Sequence, residues 1–190
     1  MYSLFIDTHD QDLIIAIFKD KKLLDKEIKE SLRNHSDYTM ILIDEIIKRN
    51  FITINDINEI FVINGPGSFT GVRIGVTIAK MLAYTLNIPI KCMDSITMYG
   101  ISDEFLGKKV VLIPDVKGSY GGIFENNVLS GELFYKTNDE IDEYLKTKEV
   151  EKIVENQIDF NKIIEYFDNI KPTLAHLVNP IYVKVIEALK

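Results

Sequence analysis

Short apolar segments rich in β-branched residues alternate with charged or glycine-containing turns in the first half of the chain. Such segments predict strands, whereas apolar residues spaced three and four apart predict amphipathic helices. The pattern therefore predicts three strands, a helix, a strand, a second helix and a closing strand. Their ranges are 4–7, 13–18, 23–28, 36–49, 59–63, 69–86 and 88–93.

The second half of the chain repeats this opening. Strands are predicted over 110–115, 120–124 and 128–135, and helices over 139–148, 159–168 and 181–189. In both halves a strand ends in an aspartate, Asp7 or Asp115, and two turn-linked strands follow. The boundary is expected near 95–108, where Gly, Ser and Asp concentrate. We therefore expect an α/β fold made of a duplicated βββαβα unit, the plan of actin-like (ribonuclease-H-like) folds, with lobes 1–100 and 101–190, the second abbreviated.

A glycine-rich segment, Gly65-Pro-Gly-Ser-Phe-Thr-Gly-Val-Arg-Ile-Gly75, joins the predicted strand 59–63 to the helix 69–86. The first turn of a helix presents unpaired N–H groups and a positive dipole end, which attract anions. The candidate anion-binding residues are Gly65, Gly67, Ser68, Thr70 and Gly71. The equally weighted alternative is a tight turn in which glycine supplies a positive φ and Ser68 caps the helix.

The spacing of the glycines separates this loop from two better-known phosphate loops. A Walker loop requires a lysine directly after its last glycine, whereas Val72 follows Gly71 here. A dinucleotide fingerprint reads Gly-x-Gly-x-x-Gly, and this loop has one residue more before its third glycine. Asp94, after the next strand, stands where a ribose-binding acid would be expected, so a weak dinucleotide alternative stays open.

The two helices of the first half are apolar over more than half of their circumference. Small residues at 71, 75, 79 and 83 form a line that lets another helix approach closely. Because two small lobes offer little core in which to bury such helices, the pattern favours a helical protein–protein interface. The predicted interface residues are Tyr38, Ile41, Leu42, Gly71, Val72, Gly75, Val76, Ala79 and Ala83.

Composition narrows the class of protein. The 190 residues carry a net charge of −7, with 46% hydrophobic and 27% charged residues, which is typical of a folded domain. No apolar run approaches the ~20 residues of a membrane helix, so we expect a cytoplasmic protein without membrane contact. A single cysteine excludes an internal disulfide. The acidic balance and scattered lysines disfavour unaided binding of nucleic acid.

The sequence contains few residue patterns that are typical of catalytic or metal-binding sites. His9, His35 and His176 lie far apart, without a second ligand at metal-binding spacing. His9 with Asp7 and Asp10 would suit a metal or acid–base site, but such a cluster is more often a polar turn after a strand. We therefore expect no catalytic residue, no metal and no cofactor.

These segments resemble the TsaB (YeaZ) family of bacterial proteins. The resemblance is carried by Leu4-Phe-Ile-Asp-Thr8, by Arg33-Asn-His-Ser36 and above all by the glycine-rich segment. In the second half, Asp115-Val-Lys117 is similar to the family's Asp-Ala-Arg, and Pro180-Ile-Tyr-Val-Lys184 to its Pro-x-Tyr-x-Arg. Lys117 and Lys184 thus replace arginines, which weakens any bidentate contact at those positions.

The resemblance implies an actin-like two-lobed fold and a role in the synthesis of threonylcarbamoyladenosine (t6A) in tRNA. In that pathway the related protein TsaD transfers the group with a metal held by two histidines four residues apart. Those positions are Ser95 and Tyr99 here. The resemblance therefore implies a non-catalytic scaffold or dimerisation subunit that binds TsaD through its N-terminal helices.

Further partners follow from the same resemblance. An ATPase, TsaE, is expected to join the assembly, tRNA to bind only through the complex, and the chain to form a homodimer when TsaD is absent. The alternative is a nucleotide-binding enzyme of actin-like ATPase or dinucleotide-binding type, which would use the glycine-rich segment with Asp7 or Asp94.

Overall fold

A computed structural model describes residues 1–30 and 34–184 of the chain. The first half contains β1 (Tyr2–Asp7), β2 (Leu13–Lys19), β3 (Lys22–Lys29), α1 (His35–Arg49), β4 (Ile57–Ile63), α2 (Phe69–Leu86), β5 (Ile90–Met93) and α3 (Ser95–Ser102). The second half contains β6 (Lys109–Asp115), β7 (Gly118–Glu125), β8 (Val128–Leu129), β9 (Phe134–Thr137), α4 (Asn138–Thr147), β10 (Lys152–Ile153) and α5 (Phe160–Asn169). Short 3-10 helices cover Ile54–Asp56 and Ala175–Leu177.

The strands form two sheets of related topology. The first has the order β3-β2-β1-β4-β5, with β1 antiparallel to β2 and parallel to β4. In the second, β6 pairs antiparallel with β7 and parallel with β10, and β7 also pairs with β8 and β9. The order β10-β6-β7-β9 thus repeats β4-β1-β2-β3. The predicted duplicated βββαβα unit and the actin-like α/β fold are confirmed.

Both faces of the first sheet are buried, which is why β1, β2 and β4 are nearly continuous apolar runs. Because successive side chains of a strand point to opposite faces, each strand supplies residues to two core clusters. One cluster packs under α1 and α2 and includes Leu4, Ile15 and Val62. The other includes Phe5, Phe18 and Phe61 and extends into the second half of the chain.

Two helices each pack against the sheet of the other half of the chain. Helix α3 follows the first sheet in sequence but packs against β6 and β7 of the second. Helix α5 follows the second sheet but packs against β3 and β5 of the first, as well as against α3. The predicted lobe boundary at residue 100 falls inside α3, and one apolar cluster joins both sheets through these helices.

Three local predictions differ from the structure. The strand predicted over 128–135 is divided into β8 and β9, because Gly131 adopts a left-handed φ of 88° between them. The boundary segment 95–108 contains α3, whose first turn is capped by Asp94. The helix predicted over 181–189 is not helical up to Lys184. Its remainder, 185–189, lies outside the described residues, as does Arg33.

Across residues 1–30 and 34–184, the structure contains no helix whose length and apolar character would let it traverse a lipid bilayer.

Candidate functional site

The glycine-rich segment is packed against the turn that follows β1. The backbone N–H of Ser68 donates to the carbonyl of His9 at 2.7 Å, and the Thr8 hydroxyl donates to the carbonyl of Gly71 at 2.7 Å. A Cβ atom added to Gly67 or Gly71 would overlap the carbonyl oxygens of His9 and Thr8 respectively. Glycine is therefore required at both positions by close backbone approach.

The anion-binding candidates are only partly brought together. Four of them line a cavity of about 780 Å³, whereas Gly65 is buried beneath it with a φ of 95°. Asp10 and Asp115 line the same cavity, and their carboxylates repel anions. The Ser68 hydroxyl accepts a hydrogen bond from the N–H of Gly71 at 3.3 Å, as the helix-capping interpretation requires. The four cavity-lining candidates are Gly67, Ser68, Thr70 and Gly71.

A buried ionisable pair lies directly behind this loop. His9 Nδ1 is 2.7 Å from Asp7 Oδ1, and both side chains are almost fully buried. Burial lowers the pKa of His9, but the charge and hydrogen bond of Asp7 raise it by more, so that it lies above its usual value. The hydroxyl of Tyr99 lies 3.4 Å from His9 Nε2, and burial followed by the charge of Asp7 raises the pKa of this phenol. The Asp7 carboxylate thus favours the protonated form of His9 beneath the loop.

Ser95 and Tyr99, where the resemblance places the histidines of the transferase, lie close to this loop. The Ser95 hydroxyl donates to the carbonyl of Pro66, and its backbone N–H donates to the carbonyl of Gly65 at 2.9 Å. Within the described ranges, no three His, Cys, Asp or Glu side chains are grouped closely enough to hold a metal ion. Asp94, the candidate ribose acid, accepts a hydrogen bond from the N–H of Thr97 at 2.7 Å and thereby caps α3.

A second cavity, of about 800 Å³, lies beside the first between the two halves. Both cavities are lined by Gly67, Phe69, Asp115 and Tyr120, and the second is also lined by residues 181–184. The glycine-rich segment, the stretch 115–117 and the stretch 180–184 therefore meet at one place, although they are far apart in sequence. Lys117 and Lys184 both line the second cavity.

Residues 178–184, here called the tail, cross from the first half to the second over this cavity. The Lys80 ammonium donates to the carbonyl of Val178 at 2.7 Å, and the N–H of Ile181 donates to the carbonyl of Asn64 at 2.8 Å. Arg73 stacks 3.7 Å from the centre of the Phe69 ring, and its Nε donates to the Tyr182 hydroxyl at 2.7 Å. The tail is therefore fixed to the beginning of α2.

The last residue of the tail, Lys184, is bonded to the Asp115 carboxylate. This carboxylate accepts hydrogen bonds from Lys184 Nζ at 2.7 Å and from the Tyr135 hydroxyl at 3.1 Å. Burial raises the pKa of Asp115, but the hydrogen bonds from Lys184, from the backbone N–H of Val116 and from Tyr135 lower it by more, and the carboxylate in turn raises the pKa of Lys184. The sequence indicated Lys184 and Tyr182 through the Pro-x-Tyr-x-Lys segment, but no sequence signal indicated Tyr135.

The structure places most of the predicted interface residues inside the protein. Tyr38 and Ile41 are exposed on α1, whereas the other seven are buried. The line of small residues serves close packing within the chain, since a Cβ on Gly75 would overlap the side chain of Thr8. The seven buried residues are Leu42, Gly71, Val72, Gly75, Val76, Ala79 and Ala83.

The outer faces of α1 and α2, which pack side by side, carry a different apolar set. The exposed fractions are 40% for Tyr38, 49% for Ile41, 48% for Met81 and 82% for Tyr84. Sequence reasoning missed Met81 and Tyr84. Ile74, Ile78 and Met81 repeat at helical spacing, and this signal could have identified the second apolar face.

Comparison with known sequences finds both TsaB proteins and tRNA N6-adenosine threonylcarbamoyltransferases. A family model described as TsaD, tRNA N6-adenosine threonylcarbamoyltransferase, matches residues 26–116. The tRNA threonylcarbamoyladenosine biosynthesis protein TsaB of Bacillus subtilis is 38% identical over 96 residues, which are 50% of this chain and 42% of that protein. TsaB of Buchnera aphidicola subsp. Schizaphis graminum is 25% identical over 148 residues, covering 78% of this chain and 70% of that protein. The matched region thus spans less than half of the Bacillus relative.

Solved structures extend the likeness in fold to nearly the whole chain. YeaZ from Pseudomonas aeruginosa superposes with a TM-score of 0.77 at 14% identity, covering 95% of this chain and 100% of that one. A second Pseudomonas aeruginosa structure, described as similar to peptidase YEAZ, gives a TM-score of 0.78 at 14% identity, with 96% and 99% covered. At this identity the likeness establishes a shared fold.

Proposed function

We propose that the chain takes part in t6A synthesis as a non-catalytic scaffold subunit. The premise is its resemblance to the TsaB (YeaZ) proteins, in sequence over its first half and in fold over almost its whole length. Its partner in this proposal is a TsaD-like transferase. A TsaE-like ATPase joins the assembly, and tRNA is held by the complex, because a chain of net charge −7 is poorly suited to bind RNA alone.

The outer faces of α1 and α2 are the single observation that carries the scaffold role. Large apolar side chains at Tyr38, Ile41, Met81 and Tyr84 stay exposed on two helices that pack against each other. Exposed aromatic and aliphatic side chains on adjacent helices favour association with another helical surface. A homodimer through the same faces is the expected state when the transferase is missing.

The non-catalytic part of the proposal rests on residue types. Ser95 and Tyr99 stand where the transferase is expected to have its metal-binding histidines, and both side chains are engaged in hydrogen bonds near the glycine loop. Asp94 serves as a helix cap, which weakens the dinucleotide alternative. The metal and the transfer step are therefore assigned to the partner.

Substitution of the outer helix faces tests the proposal. Ile41→Asp and Met81→Asp place charges on exposed positions, so the fold should be retained while the apolar contact is lost. We expect neither variant to co-purify with the TsaD-like protein of the same host, and t6A to fall when either replaces the wild-type chain. Val128→Asp, at an exposed apolar position on β8, is the matched control and should retain both.

Retention of the complex by both α1 and α2 variants, with unchanged melting temperatures, would contradict this interface. Calorimetry of the isolated chain with ATP, ADP and NAD tests the alternative. Tight binding with turnover would favour a nucleotide-binding enzyme instead of a scaffold.

A further inference from the structure

Asp115, at the end of β6, lies among aromatic side chains on the wall of the cavity crossed by the tail. The Lys184 ammonium, bonded to this carboxylate, lies 4.7 Å from the centre of the Tyr135 ring. The Tyr120 ring packs edge-on against Tyr135, with ring centres 5.1 Å apart. A carboxylate beside aromatic faces is the chemistry that binds ammonium and guanidinium groups. Asp115, Tyr120 and Tyr135 are called the cation cage below.

The group that fills the cation cage is part of the chain itself and is loosely held. The side chains of Lys184 and Asp115 are 39% and 25% exposed, and ion pairs this accessible to water exchange readily with other partners. The tail is anchored upstream of Lys184, through Val178 to Lys80 and through Ile181 to Asn64. Lys184 can therefore leave the cage while the tail stays in place.

The space around the cage exceeds what one lysine side chain needs. The cavity of about 800 Å³ is within the range of ligand pockets, and Phe69, Val72 and Ile181 supply apolar walls next to the charged end. A cationic side chain carried on a peptide would place its charge on Asp115 and its neighbours on these walls. A small free amine would leave the walls uncovered.

We propose that the cation cage is a binding site for a lysine or arginine side chain of a partner polypeptide, and that Lys184 fills this site when the partner is absent. The tail then acts as an internal competitor that sets the affinity for the incoming cation. Because the cage lies between the halves and away from the exposed faces of α1 and α2, this site is separate from the helical interface proposed above.

Binding of a model side chain by the full-length chain tests the proposal. N-acetyl-lysine methylamide is titrated into the wild type and into Lys184→Ala, with binding followed by NMR shifts of Tyr120 and Tyr135. We expect the variant to bind at least ten-fold more tightly, because its internal competitor is gone. Asp115→Asn added to Lys184→Ala should abolish that gain, and the neutral analogue N-acetyl-norleucine methylamide should not bind.

Two single variants serve as controls. Lys117 lines the same cavity and forms no ion pair with the residues that the structure describes, so Lys117→Ala should bind as the wild type does. Lys184→Arg keeps the cage filled and should also resemble the wild type. The proposal is overturned if Lys184→Ala binds no more tightly than the wild type, if Lys117→Ala gains equally, or if the norleucine analogue binds as well. None of these readouts involves the transferase, so the scaffold proposal is unaffected by their failure.

Discussion

The two sheets share a strand order but differ in how completely they are buried. In the first sheet, β1 and β2 are buried almost throughout, and α1, α2 and α5 cover its faces. In the second, β8 and β10 are two residues long each, and α4 has no buried residue. The second half is therefore poor in its own core and depends on contacts with the first.

The exchange of helices explains how the smaller half is stabilised. Helix α3 supplies Ile96 and Met98 to the cluster against the second sheet, while α5 places Phe160 and Phe167 against the first. Since a helix from each half covers the sheet of the other half, the apolar surfaces of both sheets are buried in one shared cluster. The halves should therefore unfold together, with stability concentrated at the exchanged helices and little of it at α4.

Removal of the aromatic contact between the halves should produce the largest effect. Phe167 is fully buried and stacks on Phe61 with ring centres 4.3 Å apart. Phe167→Ala should lower the free energy of unfolding by about 3–5 kcal/mol, measured by urea denaturation. Leu145→Ala, on the peripheral α4, should cost about 1 kcal/mol or less. Similar losses for the two variants would contradict a stability concentrated at α5.

Alanine substitutions of one glycine in each half should give the next largest difference in the loss of unfolding free energy. Gly71→Ala forces a Cβ into the carbonyl of Thr8, and such overpacking should cost about 3 kcal/mol in urea denaturation. Gly131→Ala, between β8 and β9, meets open space and should cost only the strain of its positive φ, about 1 kcal/mol. If Gly71→Ala were the milder change, the close approach of the glycine loop to β1 would be refuted.

Local patterns predicted the elements of the first half well because each signal is confined to neighbouring residues. Helix α2 begins and ends where its apolar spacing and the Ser68 cap indicated. The strand predicted over 128–135 was wrong because a single left-handed glycine interrupts an otherwise strand-like run. Helix α3 was missed because it lies in the segment 95–108, where Gly, Ser and Asp concentrate as they do in a linker.

The candidate site was predicted less completely, for two physical reasons. An apolar helix with two apolar faces does not reveal from periodicity which face packs inward, so seven of the nine predicted interface residues are buried in the structure, whereas Met81 and Tyr84 are exposed. Within the cation cage Asp115 bonds to Tyr135, 20 residues away, and the cage is filled by Lys184, 69 residues away from Asp115; such contacts depend on strand pairing and on the path of the tail. Neither is encoded in local spacing.

The smallest expected effect concerns the aspartates at the ends of β1 and β6, Asp7 and Asp115. It is a difference in how their surroundings make the free energy of unfolding depend on pH. Asp115 is paired with a partly exposed lysine, whereas Asp7 is buried with His9, whose pKa is raised above its usual 6.5. A raised folded-state pKa gives stability that is fully present below the unfolded pKa and is lost as pH rises through the folded value. The free energy of unfolding should therefore fall as pH rises above about 6.5, by at most about 1.4 kcal/mol per pH unit for one proton.

Urea denaturation between pH 6 and 9 measures this slope in the first half. His9→Gln should remove it, while His176→Gln, at an exposed position of the short 3-10 helix, should leave it unchanged. Should His9→Gln fail to fold, an NMR titration of the wild-type His9 ring gives the same information. A ring that loses its proton below pH 6.5, or a slope that persists without His9, would show that burial outweighs the Asp7 carboxylate. The glycine loop would then rest on a neutral hydrogen bond in place of an ion pair.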